Sequence, residues 1–115
     1  MKTTFVSFIS CGLLLGALSA SADKHEDMQQ LAEDKQCLSC HARQDDTPRA
    51  PGFKSIAAKY SSGEMRGYLV EVVLTGGEDH WGSATMPEAS ERVEVSEEEA
   101  QKLVDWILGM HEGDS

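Results

Sequence analysis

The chain has 115 residues, of which 20 are acidic and 10 basic, giving a formal net charge of −10 at neutral pH. That length holds one small domain, and so acidic a chain excludes a nucleic-acid partner, whose phosphates would repel it. A core this thin calls for a further staple: a disulfide, a metal or a bound cofactor.

The chain opens on what reads as an export leader. Lys2 supplies a short positive start, Phe5 to Leu18 is almost wholly apolar, and Ala20-Ser21-Ala22 fits the small-x-small cleavage preference. Residues 1–22 are therefore expected to be a signal peptide and residues 23–115 a single domain. Cleavage would remove Lys2 alone among the charged side chains and take the net charge to about −11. The apolar run falls short of the roughly 20 residues that span a membrane, so no stable membrane association is expected. Cys11 lies inside that run with more leader-like sequence behind it, which argues against lipid attachment there.

Four segments then show helical spacing, and none alternates as a strand would. Asp27 to Gln36 places Met28, Leu31 and Ala32 on one face and leads into Cys37. After an irregular stretch from Ala42 to Gly52, Phe53, Ile56, Ala57 and Tyr60 form one stripe. Met65, Tyr68, Leu69, Val72 and Val73 form another, which Gly76-Gly77 ends. A second irregular stretch runs from Thr75 to Glu94. The last helix carries its own start signal: Ser96 as cap, Glu99 to complete a capping box, and Val95 with Ala100 as a hydrophobic staple. Leu103, Trp106, Ile107 and Met110 are its buried stripe.

The chemistry concentrates in Cys37-Leu38-Ser39-Cys40-His41. A redox dithiol at this spacing wants a βαβ setting, and no strand precedes it. A structural zinc site wants two more ligands close by, whereas His25, His80 and His111 are scattered. A disulfide across two intervening residues closes a tiny loop and would contribute little. Cys-x-x-Cys-His is also the attachment signature for a c-type haem, and only that reading uses the histidine. Both thiols would add across the haem vinyl groups, and His41, four residues beyond Cys37, would come round on the same face to bind the iron. A covalent haem would supply the missing staple. An export leader agrees with attachment outside the cytoplasm, so the expected location is the periplasm.

The whole segment from residue 23 on resembles the short bacterial class I monohaem cytochromes c. Cys37 to His41 matches the family's attachment signature, "APGFKSIAAKY" its Gly-Pro-x-aromatic-Lys segment, "HWGSATMPEA" its Trp-Gly…Met-Pro loop and "VSEEEAQKLVDWIL" its closing helix. The resemblance implies an all-α fold, four short helices wrapped around one covalently bound haem c. It implies that the Pro51 carbonyl accepts the free ring N–H of His41, and that the Trp81 indole faces a haem propionate. Two departures stand out. Ala50 replaces the family's glycine, and the helix before Trp81 lacks the basic residue that relatives often place near the propionates, having Glu71 and Val72 there instead.

For the sixth iron ligand, Met28 and Met110 fall on apolar stripes and Met65 on a helical face, where methionine is more often packing. Met86 instead stands in an irregular segment with Pro87 behind it, and it matches the family's Met-Pro motif. His80 is its rival. Cys37, Cys40, Pro51 and Trp81 are thus the expected haem contacts, and His41 and Met86 the iron ligands.

The expected activity is one-electron transfer with no substrate chemistry, so the protein is not read as an enzyme. Its partners would be periplasmic redox proteins met by a monomer through an exposed haem edge, with a basic docking face favoured by the chain's negative charge. Two other readings stay open: a haem subunit of a periplasmic oxidoreductase complex, and a gas-binding sensor in which Met86 swings away.

Overall fold

A computed structural model describes residues 19–111, with side chains from residue 23 onward. Most of the expected leader lies outside the described residues. Helix α1 (Ser19–Asp34) begins within its last four residues and runs on without a break past Asp23.

The helices that the spacing predicts are present, with shifted ends. After α1 come α2 (Phe53–Lys59), α3 (Arg66–Thr75) and α4 (Glu97–Gly109). Helix α1 stops at Asp34 because Gln36 turns left-handed, at φ 58°. A single 3₁₀ turn then carries Cys37–Ser39. Helix α3 begins only at Arg66, which leaves Met65 ahead of the helix and 42% exposed; Tyr68 is 36% exposed. Its buried pair is Leu69 and Val70 rather than the wider stripe expected from Met65 onward.

Helix α4 organises the core. Its start has both halves of the capping box: Glu99 N–H donates to Ser96 Oγ at 3.2 Å, and Ser96 N–H donates to Glu99 Oε2 at 2.9 Å. Leu103, Trp106 and Ile107 meet Ala32 of α1 and Phe53 of α2 in one cluster. Ala100 and Val104 meet Leu69 and Val70 of α3 in a second. Val95 and Ile56 pack against both clusters and so join them. Each large aliphatic or aromatic side chain buried this way contributes about 1.5–3 kcal/mol. A bidentate pair from Arg66 to Asp105, with Nη2 at 2.8 Å from Oδ2, ties α3 to α4 at the surface.

The expectation of no strand is corrected. Strand β1 (Gly77–Trp81) pairs antiparallel with β2 (Ala84–Met86) across the two-residue connection Gly82-Ser83. The register sets Gly77 opposite Met86 and Trp81 opposite Ala84, so five residues face three. Asp79, at φ 65°, absorbs the excess as a bulge. That bulge, together with the charged Glu78 and Asp79, erases the alternation by which a strand is read. The protein is nonetheless mainly helical, and the hairpin is the only sheet among the described residues. No helix among them is long and apolar enough to cross a membrane.

Candidate functional site

Helices α2, α3 and α4, the cysteine turn and the β hairpin enclose a cavity of about 550 Å³. Its wall is largely apolar, with Phe53 and Ile56 from α2, Leu69, Val72 and Val73 from α3, and Leu103, Val104 and Ile107 from α4. All six site residues expected from the sequence line this one cavity: Cys37, Cys40, His41, Pro51, Trp81 and Met86.

His41 is placed by its backbone and its ring alike. Its N–H donates to Cys37 O at 3.0 Å, one helical turn back, so thiol and imidazole leave the chain on neighbouring turns. Its Nδ1–H donates to Pro51 O at 2.7 Å, and its ring stacks on Phe53 with centroids 5.3 Å apart. The proton therefore sits on Nδ1, and Nε2, which has no hydrogen-bond partner among the described residues, keeps its lone pair. Burial pulls the His41 pKa below its ordinary value, against the smaller upward effect of the Pro51 bond, so the ring is neutral at neutral pH and can bind a metal without first losing a proton. Cys37 and Cys40 are both half-buried free thiols. Burial pushes the Cys37 thiol up, opposed by its own backbone bond and by the nearby charges of Arg92 and Lys35.

Pro51 owes its position to a loop whose key residue the sequence reading passed over. Thr47 Oγ1 donates to Cys40 O at 2.7 Å and accepts Ala50 N–H at 3.0 Å, while Thr47 N–H donates to Ala50 O at 2.9 Å. One hydroxyl thus stitches the cysteine turn to the Ala50-Pro51 turn, and alanine in place of glycine leaves the loop closed. Gly52 follows with its N–H donating to Asp46 Oδ1 at 2.8 Å. A Cβ there would meet Asp45 O at 2.7 Å, so only glycine lets these two strands of loop touch.

The hairpin brings Met86, which ends β2, and Trp81, which ends β1, to the lining of the same cavity. Lys59 Nζ lies 4.5 Å above the centre of the Trp81 ring, the range of a cation–π contact. His80, the rival ligand, is otherwise engaged: Tyr68 O–H and its Nδ1 share a 3.2 Å hydrogen bond, and its Nε2 is enclosed without a partner beside Gly77. No lysine or arginine of α3 lines the cavity; Lys35, Arg49 and Arg92 line it from other parts of the chain. Among the described residues no three His, Cys, Asp or Glu side chains converge as a metal cluster, so the zinc reading has no ligand set.

The donor set fits a haem. Two thiols, an imidazole with one nitrogen committed and one open, and a thioether share one apolar chamber large enough for a flat ring. A helical fold around such a chamber defines the class, a haem-wrapping protein with covalent attachment. The Cytochrome c family pattern matches residues 26–111, and the chain belongs to that family. It is 34% identical to cytochrome c-552 of Nitrosomonas europaea over 109 residues, 94% of this chain and 97% of that one. With cytochrome c-551 of Pseudomonas aeruginosa it shares 33% over 97 residues, 84% and 88% of the two chains. The crystal structure of wild-type Nitrosomonas europaea cytochrome c552 aligns with a TM-score of 0.63 at 34% identity, covering 71% of this chain and 98% of that one. The class 1 cytochrome MtoD of Sideroxydans lithotrophicus ES-1 aligns at 0.56 with 22% identity over 75% and 95% of the chains, a likeness of fold. This chain is thus a class I cytochrome c of the bacterial c-551/c-552 type, an electron carrier with covalent haem c rather than an enzyme.

Proposed function

We propose that Cys37 and Cys40 would hold the haem, that His41 and Met86 would be its iron ligands, and that the protein carries single electrons between periplasmic redox proteins. Each thiol would add across one vinyl double bond, sulfur to one carbon and hydrogen to the other, so attachment would need no oxidant. The observation that carries this reading is the meeting of His41, with Nδ1 tied to Pro51, and Met86 on the walls of one chamber that also holds both thiols. The bound haem takes up and releases one electron at its iron; the residues hold it, dry it and set its potential.

Each residue has a distinct task. Pro51 O fixes the plane of the His41 ring and makes Nε2 a stronger donor. Met86 supplies a soft sulfur that favours ferrous iron and raises the potential, as electron transfer requires. Met86 is preferred to His80 because both His80 nitrogens are committed or enclosed. Trp81, at the hairpin's end, is the proposed propionate contact. The leader-like first 22 residues support export to the periplasm. Met86 lining the same chamber as His41 favours the carrier over a gas sensor with an open sixth position.

Maturation in a host equipped for haem attachment, followed by intact mass and optical spectra, tests the reading. The expected result is a mass raised by one haem, and an oxidised spectrum with a weak near-red band that vanishes in Met86→Ala. A colourless protein with the mass of bare polypeptide would refute the whole reading. A band that survives in Met86→Ala would refute the sixth ligand alone.

A further inference from the structure

Arg92 is the only lysine or arginine between Arg66 and Lys102, set among Glu88, Glu91 and Glu94. Such a residue would ordinarily answer one of its acidic neighbours across the surface. Instead its guanidinium turns inward, half-buried on the cavity wall, and two carbonyls take its donors. Nε–H donates to Pro87 O at 2.8 Å, and Nη2–H donates to Val73 O. Glu91 is occupied elsewhere, accepting the Glu88 N–H.

Both acceptors have a reason to want it. Val73 stands in the last turn of α3 (Arg66–Thr75), where carbonyls lack an intrahelical donor and the helix dipole favours a cation. Pro87 directly follows Met86. From the other side, Gly76 presses on the same turn so closely that a Cβ would lie 2.2 Å from Pro87 O. The Met86-Pro87 peptide is therefore held between the α carbon of Gly76 and the rigid planar fork of Arg92, whose other prong is anchored in α3.

We propose that Arg92 is a positioning residue that keeps Met86 over the haem and so sets the balance between a closed sixth position and an open, ligand-accepting one. This rests on Met86 being the sixth ligand. Without the fork, the Pro87 carbonyl turns to water, and the turn keeps only its hairpin pairing with Gly77. The two states exchange populations by the strength of the lost charge-assisted bonds, on the order of ten- to a hundredfold.

The test uses the haem-loaded protein and its Arg92→Gln and Arg92→Lys variants. Three readouts are compared: the near-red band on heating, the helix signal on the same ramp, and carbon monoxide binding to the reduced form. In Arg92→Gln the band should vanish well before the helix signal, and carbon monoxide should bind roughly ten- to a hundredfold more tightly. Arg92→Lys, with one ammonium able to reach one carbonyl, should fall between the two. Band and helix signal lost together, or carbon monoxide binding unchanged, would overturn the proposal by making Arg92 merely structural. Met86→Ala separates the layers: a band that persists there defeats the ligand assignment and this inference with it. A band lost in Met86→Ala but untouched in Arg92→Gln defeats this inference alone.

Discussion

Gly76 occupies a left-handed backbone position, φ 70°, with the Met86 and Pro87 carbonyls against its α carbon. Gly63 also has a positive φ, 73°, but nothing within 4 Å of where its Cβ would be. Alanine at either position pays a backbone penalty on the order of 1–3 kcal/mol, and at Gly76, with ψ −157°, it enters a region essentially confined to glycine. Only Gly76→Ala adds a methyl 2.2 Å from Pro87 O and 2.8 Å from Met86 O, contacts that no relaxation short of moving the turn removes. We expect Gly76→Ala to lose the near-red band and to lower the potential, whereas Gly63→Ala keeps both. A Gly76→Ala protein with an unchanged oxidised spectrum would show that the turn does not hold the sixth ligand. At this scale the sequence was legible wherever a motif marks a residue that lines the cavity: Cys37, Cys40 and His41 by spacing, Met86 by Pro87 behind it. Gly76 was legible only as the end of a helix. Its pressure on Pro87, eleven positions ahead, exists only once the hairpin folds back. Arg92 left a faint signal, a lone cation in an acidic run, and Thr47 none beyond its place in a loop.

Among the elements, α4 was the most legible, because its start signals are local. Ser96 and Glu99 bond each other in the structure as their spacing predicts, and Val95 and Ala100 pack where a staple would. The β hairpin was the least legible: its bulge breaks the period of two, and its register is fixed by a two-residue turn and by contact with the cavity rather than by an apolar face. The same local chemistry makes α4 sensitive to acid. Glu99 is held below the ordinary carboxylate range first by the Ser96 N–H and then by the Lys35 side chain, which lies 2.9 Å away. Asp105 is held down first by its bonds to Arg66. Both folded-state values lie below the unfolded ones, so both groups stabilise the fold above about pH 4 and lose that contribution as pH falls through the folded values. Thermal unfolding followed at pH 7, 5, 4 and 3 should show a falling midpoint at the acid end. The fall should be shallower in Glu99→Gln and in Asp105→Asn, which are less stable at neutral pH and have less to lose. Parallel curves for variant and parent would show that these contacts are screened to nothing by solvent.

Over the whole molecule two charge patterns compete. The chain without its leader-like segment carries about −11. The cavity wall differs: among the described residues it carries Lys35, Arg49 and Arg92 against the one carboxylate of Glu91. Distance decides between them. At roughly 0.01 M salt the screening length is about 30 Å, comparable with the protein itself, and an approaching reactant feels the full negative charge. Near 0.15 M it shrinks to about 8 Å, and only groups close to the point of electron transfer still count. Long-range steering should therefore favour positively charged reactants, and it should fade with salt rather than persist. Two small inorganic oxidants of matched driving force, one cationic and one anionic, measure this by stopped flow on the reduced protein. At low salt the cationic oxidant should react on the order of ten- to a hundredfold faster. The ratio should fall toward unity as salt rises, and Arg49→Glu should leave the low-salt ratio nearly unchanged while altering the high-salt one. Equal rates for the two oxidants at 0.01 M would mean that the rim outweighs the net charge even at long range, and a partner with a basic docking face would lose its physical basis.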